Sequence, residues 1–269
     1  MVSSMTVRNL LTVALALTAG VGLGGCGKGR EKVTLAGSTA FQPFAEKLAE
    51  QYMSTRAEAD ITVQGGGSAV GVQSALSGAA QIGMADLVTL PPEAKDLLAV
   101  AVARDGIALV VNPKNAVADL TTAQIRDVFN GKITSWKDLG GEDQAITVVS
   151  REAGSGTRSS FEDIVTGIRL TPNAIVQDSN GTIRETVAND AYAIGYLSHG
   201  LINERIKPLT VDGNPCTTEA AMAGKYALVR PIYLLTKGAP AGAAKAFLDY
   251  ILSAEGQGLI RKDGLIPAK

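Results

Sequence analysis

Cysteine and histidine are almost missing from this 269-residue chain, which has two cysteines, Cys26 and Cys216, and one histidine, His199. Without a CxxC pair or a Cys/His cluster there is no zinc-type signature and no disulfide framework. Catalysis by a hydroxyl nucleophile with a histidine base would have to rest on His199 alone, a residue that reads as a loop or hinge position. An excess of one charge is also lacking, with 25 basic against 26 acidic residues, so no broad field draws nucleic acid or an anionic membrane surface. Any anion must be captured locally. Low-complexity segments and repeats of fixed period are absent too. The 46% hydrophobic and 19% charged composition is that of an ordinary globular protein long enough for two domains.

The one long apolar stretch lies at the N-terminus. Arg8 precedes an apolar core from Leu10 to Val21, and Leu23-Gly24-Gly25-Cys26 follows. That core is too short for a confident spanning helix, which needs about 20 residues, so residues 1–25 read as a signal peptide. Leu-Gly-Gly-Cys resembles a bacterial lipobox, which makes Cys26 the expected lipidation site and residues 26–32 a lipidated tether. Cys216 is then left without a partner. The mature chain is expected in the cell envelope, anchored outside the cytoplasm.

From Val33 onward, apolar runs of strand length alternate with helical segments, the pattern of an α/β fold. Val33–Ala36, Gly37-Ser38-Thr39 and a helix over Pro43–Ser54 make one βα unit. Ile61–Gln64, the Gly65-Gly66-Gly67-Ser68 turn and a helix over Ala69–Ser77 make a second. A short strand then ends at Asp86. Val100–Ala103 and Ile107–Val111 read as two buried strands at the first crossing between domains. Thr121 and Gln124 have the spacing of a capping box, and Trp136 reads as a loop anchor. Ile206–Val211 is expected to carry the chain back, with Tyr226–Thr236 and two closing helices completing the first domain. The expected division is 33–106 for lobe I, 107–210 for lobe II and 211–269 for the rest of lobe I, with a hinge and a cleft between the lobes.

The richest stretch is Arg151-Glu152-Ala153-Gly154-Ser155-Gly156-Thr157-Arg158, which follows the apolar run Ala145–Val149 and opens a helix. A helix N-terminus presents unpaired N–H groups and partial positive charge, and glycine lets backbone approach a ligand, so this junction suits an anion. The planar fork of Arg151 can hold two oxygens of a tetrahedral anion. Gly37-Ser38-Thr39 and Gly65-Gly66-Gly67-Ser68 repeat the junction in the first lobe, although Gly-Ser-Thr before a helix is commonly only a cap and Ser68 after three glycines is an intermediate signal. Asp86 beside such a site accepts a hydrogen from a protonated anion and repels a fully ionised one; as a bare turn residue it reads equally as a cap.

Taken in order, Gly37-Ser38-Thr39-Ala40, Gln64 to Ser68, Gln81 to Asp86, Asp105 to Ala108, Gly131 to Trp136, Gly154 to Arg158 and Gln177 to Gly181 resemble the phosphate-binding proteins of bacterial phosphate ABC transporters. Those are two-lobed proteins of the type II periplasmic-binding-protein fold, and the likeness covers residues 33–269. The resemblance implies capture of inorganic phosphate and its delivery to a membrane permease, with no catalysis, no cofactor and no metal. It places phosphate contacts on Ser38, Thr39, Ala40, Ser68, Asp86, Arg151, Ser155, Gly156 and Thr157, and leaves Arg158 a structural residue. One departure is Ala153, where the family often has an acid two residues after the arginine; Glu152 or another acid is then left to orient Arg151. A monomer is the simplest expectation.

Two other classes compete. A receptor for sulfate or molybdate would use a similar cleft, but neither anion carries a proton for Asp86 near neutral pH. A serine hydrolase or phosphatase would need a base, and Ala153-Gly154-Ser155-Gly156-Thr157 does not fit G-x-S-x-G. The stretch also lacks the lysine of a phosphate-binding P-loop.

Overall fold

The computed structural model describes residues 30–56 and 59–268; the signal segment, Cys26 and the start of the tether lie outside them. The chain runs β1 (Glu31–Gly37), α1 (Gln42–Thr55), β2 (Ala59–Gln64), α2 (Ser68–Ser77), β3 (Ile82–Ala85), β4 (Leu98–Val111), β5 (Asp119–Leu120), α3 (Thr122–Phe129), β6 (Thr147–Arg151), α4 (Gly156–Ile164), β7 (Ile175–Gln177), α5 (Asn180–Asn189) and β8 (Ala193–Ser198). It continues through β9 (Lys207–Pro208), β10 (Thr210–Val211), α6 (Thr218–Met222), β11 (Val229–Thr236), α7 (Gly242–Leu252), α8 (Ala254–Lys262) and β12 (Ile266–Pro267). The main sheet has the order β2-β1-β3-β11-β4-β8-β6-β7.

Strand β4 joins the two halves of that sheet. Its first part, Leu98–Gly106, pairs antiparallel with β11, and its second part, Ile107–Val111, pairs antiparallel with β8. The two strands expected over 100–103 and 107–111 are therefore one. The polar break at Arg104-Asp105-Gly106 does not end the strand, because Asp105 finds buried partners in Ser198 and Arg230.

Each half has its own core. In the first, Leu35, Phe44, Leu48, Tyr52, Met84 and Phe247 pack together; Phe44, Leu48 and Tyr52 follow the helical spacing that gives α1 one apolar face. In the second, Val110, Phe129, Trp136, Phe161, Ile183 and Tyr196 do the same. Burying each large side chain contributes roughly 1.5–3 kcal/mol. Trp136 is anchored as its loop position implied, donating from its indole N–H to the Tyr192 carbonyl at 2.8 Å. The capping box at Thr121 and Gln124 is formed in both directions.

The segment expected to carry the chain back stays in the second half. β9 pairs with Val110 and Val111 of β4, β10 runs parallel to β5, and Ile206, Leu209, Val211, Cys216, Tyr226 and Leu228 pack in the second core. An apolar run shows that a segment is buried but not in which core. The return is β11, whose residues Tyr233–Leu235 also pair with β3. Two strands, β4 and β11, thus connect the halves, giving the two-lobed periplasmic-binding-protein architecture.

Candidate functional site

The site forms where three βα junctions of the two lobes meet. In the first turn, Gly37 has φ +136°, and a Cβ there would lie 2.2 Å from the Met84 carbonyl oxygen, so only glycine lets this turn pack on β3. Ser38 is buried, and its Oγ accepts from the Ala40 and Phe41 N–H groups at 3.2 and 3.1 Å, shaping the entry to α1. Thr39 follows and turns toward the other lobe: its Oγ1 accepts from Arg151 Nη2 at 3.2 Å and from Asn180 Nδ2 at 3.3 Å. Ala40 is buried beside it.

In the second turn, Gly66 and Gly67 both have positive φ, and Gly67 N donates to the Gly37 carbonyl at 2.9 Å, so the two first-lobe turns are tied together. Ser68, the first residue of α2, donates from Oγ to Asp86 Oδ1 at 2.6 Å and accepts from Asp86 N at 3.1 Å. Asp86 is 1% exposed and sits one residue past β3, where the sequence placed it. It is not an isolated carboxylate, however: Arg230 Nη1 lies 2.5 Å from its Oδ2, an ion pair by distance whose N–H is not aligned as a hydrogen bond.

The second lobe supplies the third junction. Ser155 is the N-cap of α4, its Oγ accepting from Arg158 N, so the capping role is real and its hydroxyl hydrogen is left to donate elsewhere. Gly156 fits against the other lobe so closely that a Cβ would stand 2.1 Å from Ser68 Oγ and 2.6 Å from Asp86 Oδ1. Thr157 Oγ1 donates to Asp86 Oδ2 at 3.4 Å. Ala69 N donates to the Gly154 carbonyl at 3.2 Å, and Ser160 Oγ bridges the lobes by donating to the Asp86 carbonyl and accepting from Val88 N. The lobes are closed on one another.

Arg151 ends β6, and although it is only 1% exposed it reaches across to Thr39. Glu152 orients it: the carboxylate accepts from Nε and Nη2 at 2.9 Å each, and the Asp178 carbonyl also accepts from Nη2 at 3.2 Å. The neighbouring Glu152 thus serves where Ala153 cannot. Nη1 has no hydrogen-bond partner among the described residues, an expensive condition for a buried charged donor. Arg158, which matches the motif but reads as structural rather than as a ligand, bonds Glu162 and the Arg151 carbonyl.

The structure therefore brings together all nine residues singled out in the sequence and adds three. Asn180, at the start of α5, bridges Thr39 and the Ser198 N–H. Asp105 and Arg230 stand behind Asp86. The signal for Arg230 lies in β11, whose alternating burial puts Arg230 in phase with Ile232 and Leu234; a cation on an inward face demands a partner. Among the described residues no group of three histidine, cysteine, aspartate or glutamate side chains could hold a metal ion, and no helix is long and apolar enough to cross a membrane.

These features have counterparts in known proteins. The family model described as the PBP superfamily domain matches residues 25–255. The phosphate-binding protein PstS of Bacillus subtilis is 37% identical over 249 residues, covering 89% of this chain and 83% of that protein. A Clostridium perfringens structure solved with bound phosphate, described as a phosphate ABC transporter substrate-binding protein, superposes with a TM-score of 0.85 at 39% identity, covering 89% of this chain and all of that one. An ABC-type phosphate transport receptor from Vibrio cholerae gives a TM-score of 0.73 at 34% identity, over 87% of this chain and 99% of that one. By fold, by ordered motifs and by these likenesses, the chain belongs to the PBP superfamily and, within it, to the family of PstS phosphate-binding proteins.

Proposed function

We propose that this protein is a non-enzymatic receptor that captures inorganic phosphate between its two lobes and delivers it to the membrane permease of an ABC transporter. The observation that carries the reading is the buried, unpartnered Nη1 of Arg151 among hydroxyls and helix starts drawn from both lobes. The names of its relatives point to the same ligand. In this reading Thr39, Ala40, Ser68, Ser155, Gly156 and Thr157 supply hydroxyl and backbone donors, Arg151 supplies charge, and Asp86 accepts the phosphate hydrogen. Ser38 acts through the turn that it shapes. Because the donors come from both lobes, only the closed form satisfies the anion, so closure reports occupancy to the permease.

The reading extends to the remaining expectations. Lobe I comprises residues 33–106 together with 229–268, and lobe II comprises 107–228, a division supported by where the described segments pack. Cys26 carries the lipid that holds the receptor outside the cytoplasm, and the receptor acts as a monomer. Calorimetric titration of the chain, stripped of bound anion by dialysis, with phosphate, sulfate and molybdate near neutral pH tests the ligand. One-to-one phosphate binding with no sulfate response is expected, and Asp86→Asn should admit sulfate. Sulfate or molybdate binding to the unaltered protein, or no anion binding, would overturn the reading.

A further inference from the structure

Arg230 has no part in the reading above, yet it is fully buried and joins the site to both strands that connect the lobes. It lies on β11 directly opposite Asp105 of β4 in the ladder. Its Nη2 donates to Asp105 Oδ2 at 2.8 Å, while Nη1 stands 2.5 Å from Asp86 Oδ2. Asp105 is itself completed by Ser198, whose Oγ donates to Oδ1 at 2.9 Å. A buried ion cluster of this kind is a poor way to gain stability, since desolvation offsets most of the attraction; an apolar residue in phase with Ile232 and Leu234 would continue the β11 face without that cost. Burial does push Asp105 above the ordinary carboxylate range despite the neighbouring guanidinium.

The charges facing Asp86 are few. Arg230 faces it from β11 and Asp105 stands behind from β4; α2 and α4 contribute only the hydroxyls of Ser68, Thr157 and Ser160. Arg151 is paired separately, with the part-exposed Glu152 at the end of β6. Around Asp86 one cation, Arg230, is thus set against two carboxylates even before an anion enters, and without Arg230 none would remain.

We propose that Arg230 is a specificity-determining positioning residue, which supplies the countercharge of Asp86 and fixes its carboxylate so that Asp86 meets the ligand only as an acceptor. This rests on the phosphate reading. With Ser68 donating to Oδ1 and Arg230 facing Oδ2, every protein partner of the carboxylate oxygens is a donor. A ligand oxygen bearing hydrogen adds to that set; a fully ionised oxygen meets only lone pairs. Remove the guanidinium, and a buried carboxyl beside an anion favours its neutral form. It then offers a hydrogen, and the discrimination inverts.

The test is calorimetric titration of the full chain with phosphate and sulfate at pH 5, 6, 7 and 8. The variants are Arg230→Met/Asp105→Asn, which removes the pair without changing net charge, and Arg230→Lys, which keeps the cation. The double variant is expected to bind phosphate at least about 10-fold more weakly at pH 7. It should also acquire sulfate binding that is strongest at pH 5 and fades toward pH 8. Arg230→Lys should stay blind to sulfate throughout. A double variant with unaltered phosphate-to-sulfate preference, or with sulfate binding of equal strength at every pH, would show the pair to be merely structural. Should the double variant not fold, a sulfate response in Arg230→Lys at any pH overturns the proposal, and carbon-13 spectroscopy of the wild-type Asp86 carboxyl decides in its place: protonation in the phosphate complex at pH 6 overturns it, ionisation supports it. Failure of the unaltered protein to bind phosphate at all would instead sink the reading on which the proposal rests.

Discussion

At the scale of the residue, the site depends on which polar atoms are already satisfied. Glu152 occupies Nε and Nη2 of Arg151 and leaves Nη1 as the donor to be filled. Arg151→Lys keeps the charge but loses the fork, so phosphate affinity measured by calorimetry should fall by about 100-fold, the loss of roughly two charge-assisted bonds. Glu152→Gln, which weakens orientation without touching the ligand, should cost only about 10-fold; equal losses in the two variants would mean that the whole contribution of Arg151 depends on its being held by Glu152. The fully satisfied residues carry a different prediction. Cys216 is buried beside Tyr226, and burial pushes its thiol up from an ordinary 9.0 to about 12. The folded state therefore holds the proton more tightly than the unfolded chain. That contribution is complete below pH 9 and is lost as pH rises toward 12. Melting temperatures followed from pH 8 to 11 should fall less steeply in Cys216→Ser than in the unaltered protein, and the native thiol should resist alkylation at pH 8 until the chain is unfolded. Parallel melting curves would place the alkaline loss on other groups, such as Tyr196 and Tyr226, which burial also raises.

At the scale of the element, two glycines in similar junctions do opposite work. Gly37 is pressed against β3 of its own lobe in a conformation with φ +136°, so Gly37→Ala should lower the melting temperature of the ligand-free protein, by the several kcal/mol that a strained, overpacked turn costs. Gly156 opens α4, and the atoms nearest a Cβ there all belong to Ser68 and Asp86 across the cleft. Gly156→Ala should therefore leave the ligand-free melting temperature nearly unchanged while weakening phosphate binding by 100-fold or more, as closure is blocked by about 3 kcal/mol of overlap. A large loss of stability in Gly156→Ala would mean that the closed interface is part of the resting fold. The junctions themselves were legible because Gly-Ser-Thr, Gly-Gly-Gly-Ser and Gly-Ser-Gly-Thr each interrupt the switch from strand to helix spacing. Arg230 was not singled out, because its partners Asp105 and Asp86 lie far away in sequence and only the β4–β11 ladder brings them together. The fate of residues 206–211 was hidden for a related reason: two-residue strands such as β9 and β10 take their place from pairing, which local periodicity does not encode.

At the scale of the whole molecule, the question is how binding becomes a signal. The lobes are joined by two strands and by polar contacts that include Ala69 to Gly154, Ser160 to Asp86 and Val88, Thr157 to Asp86, Thr39 to Arg151 and Asn180, Ser198 to Asp105, and Thr218 and His199 to Gly264. Each contributes only about 0.5–1.5 kcal/mol net, and closure buries Arg151 Nη1 without a partner. The unpartnered Nη1 opposes these contacts until an anion fills it, so the ligand shifts the balance toward the closed form. Phosphate should therefore compact the protein in solution scattering and, at about 1,000 times its dissociation constant, stabilise it by roughly 4 kcal/mol, some 8–16 °C in melting temperature for a chain of this size. The single tryptophan supplies a control. Trp136 is 1% exposed in the second core, with its indole bonded to Tyr192 of the same lobe, so rigid-body closure leaves its surroundings intact. Tryptophan emission should hardly change while the scattering radius falls. A large emission change with no compaction would mean that phosphate reorganises the inside of the second lobe rather than its position, and the two connecting strands would then not be the moving part.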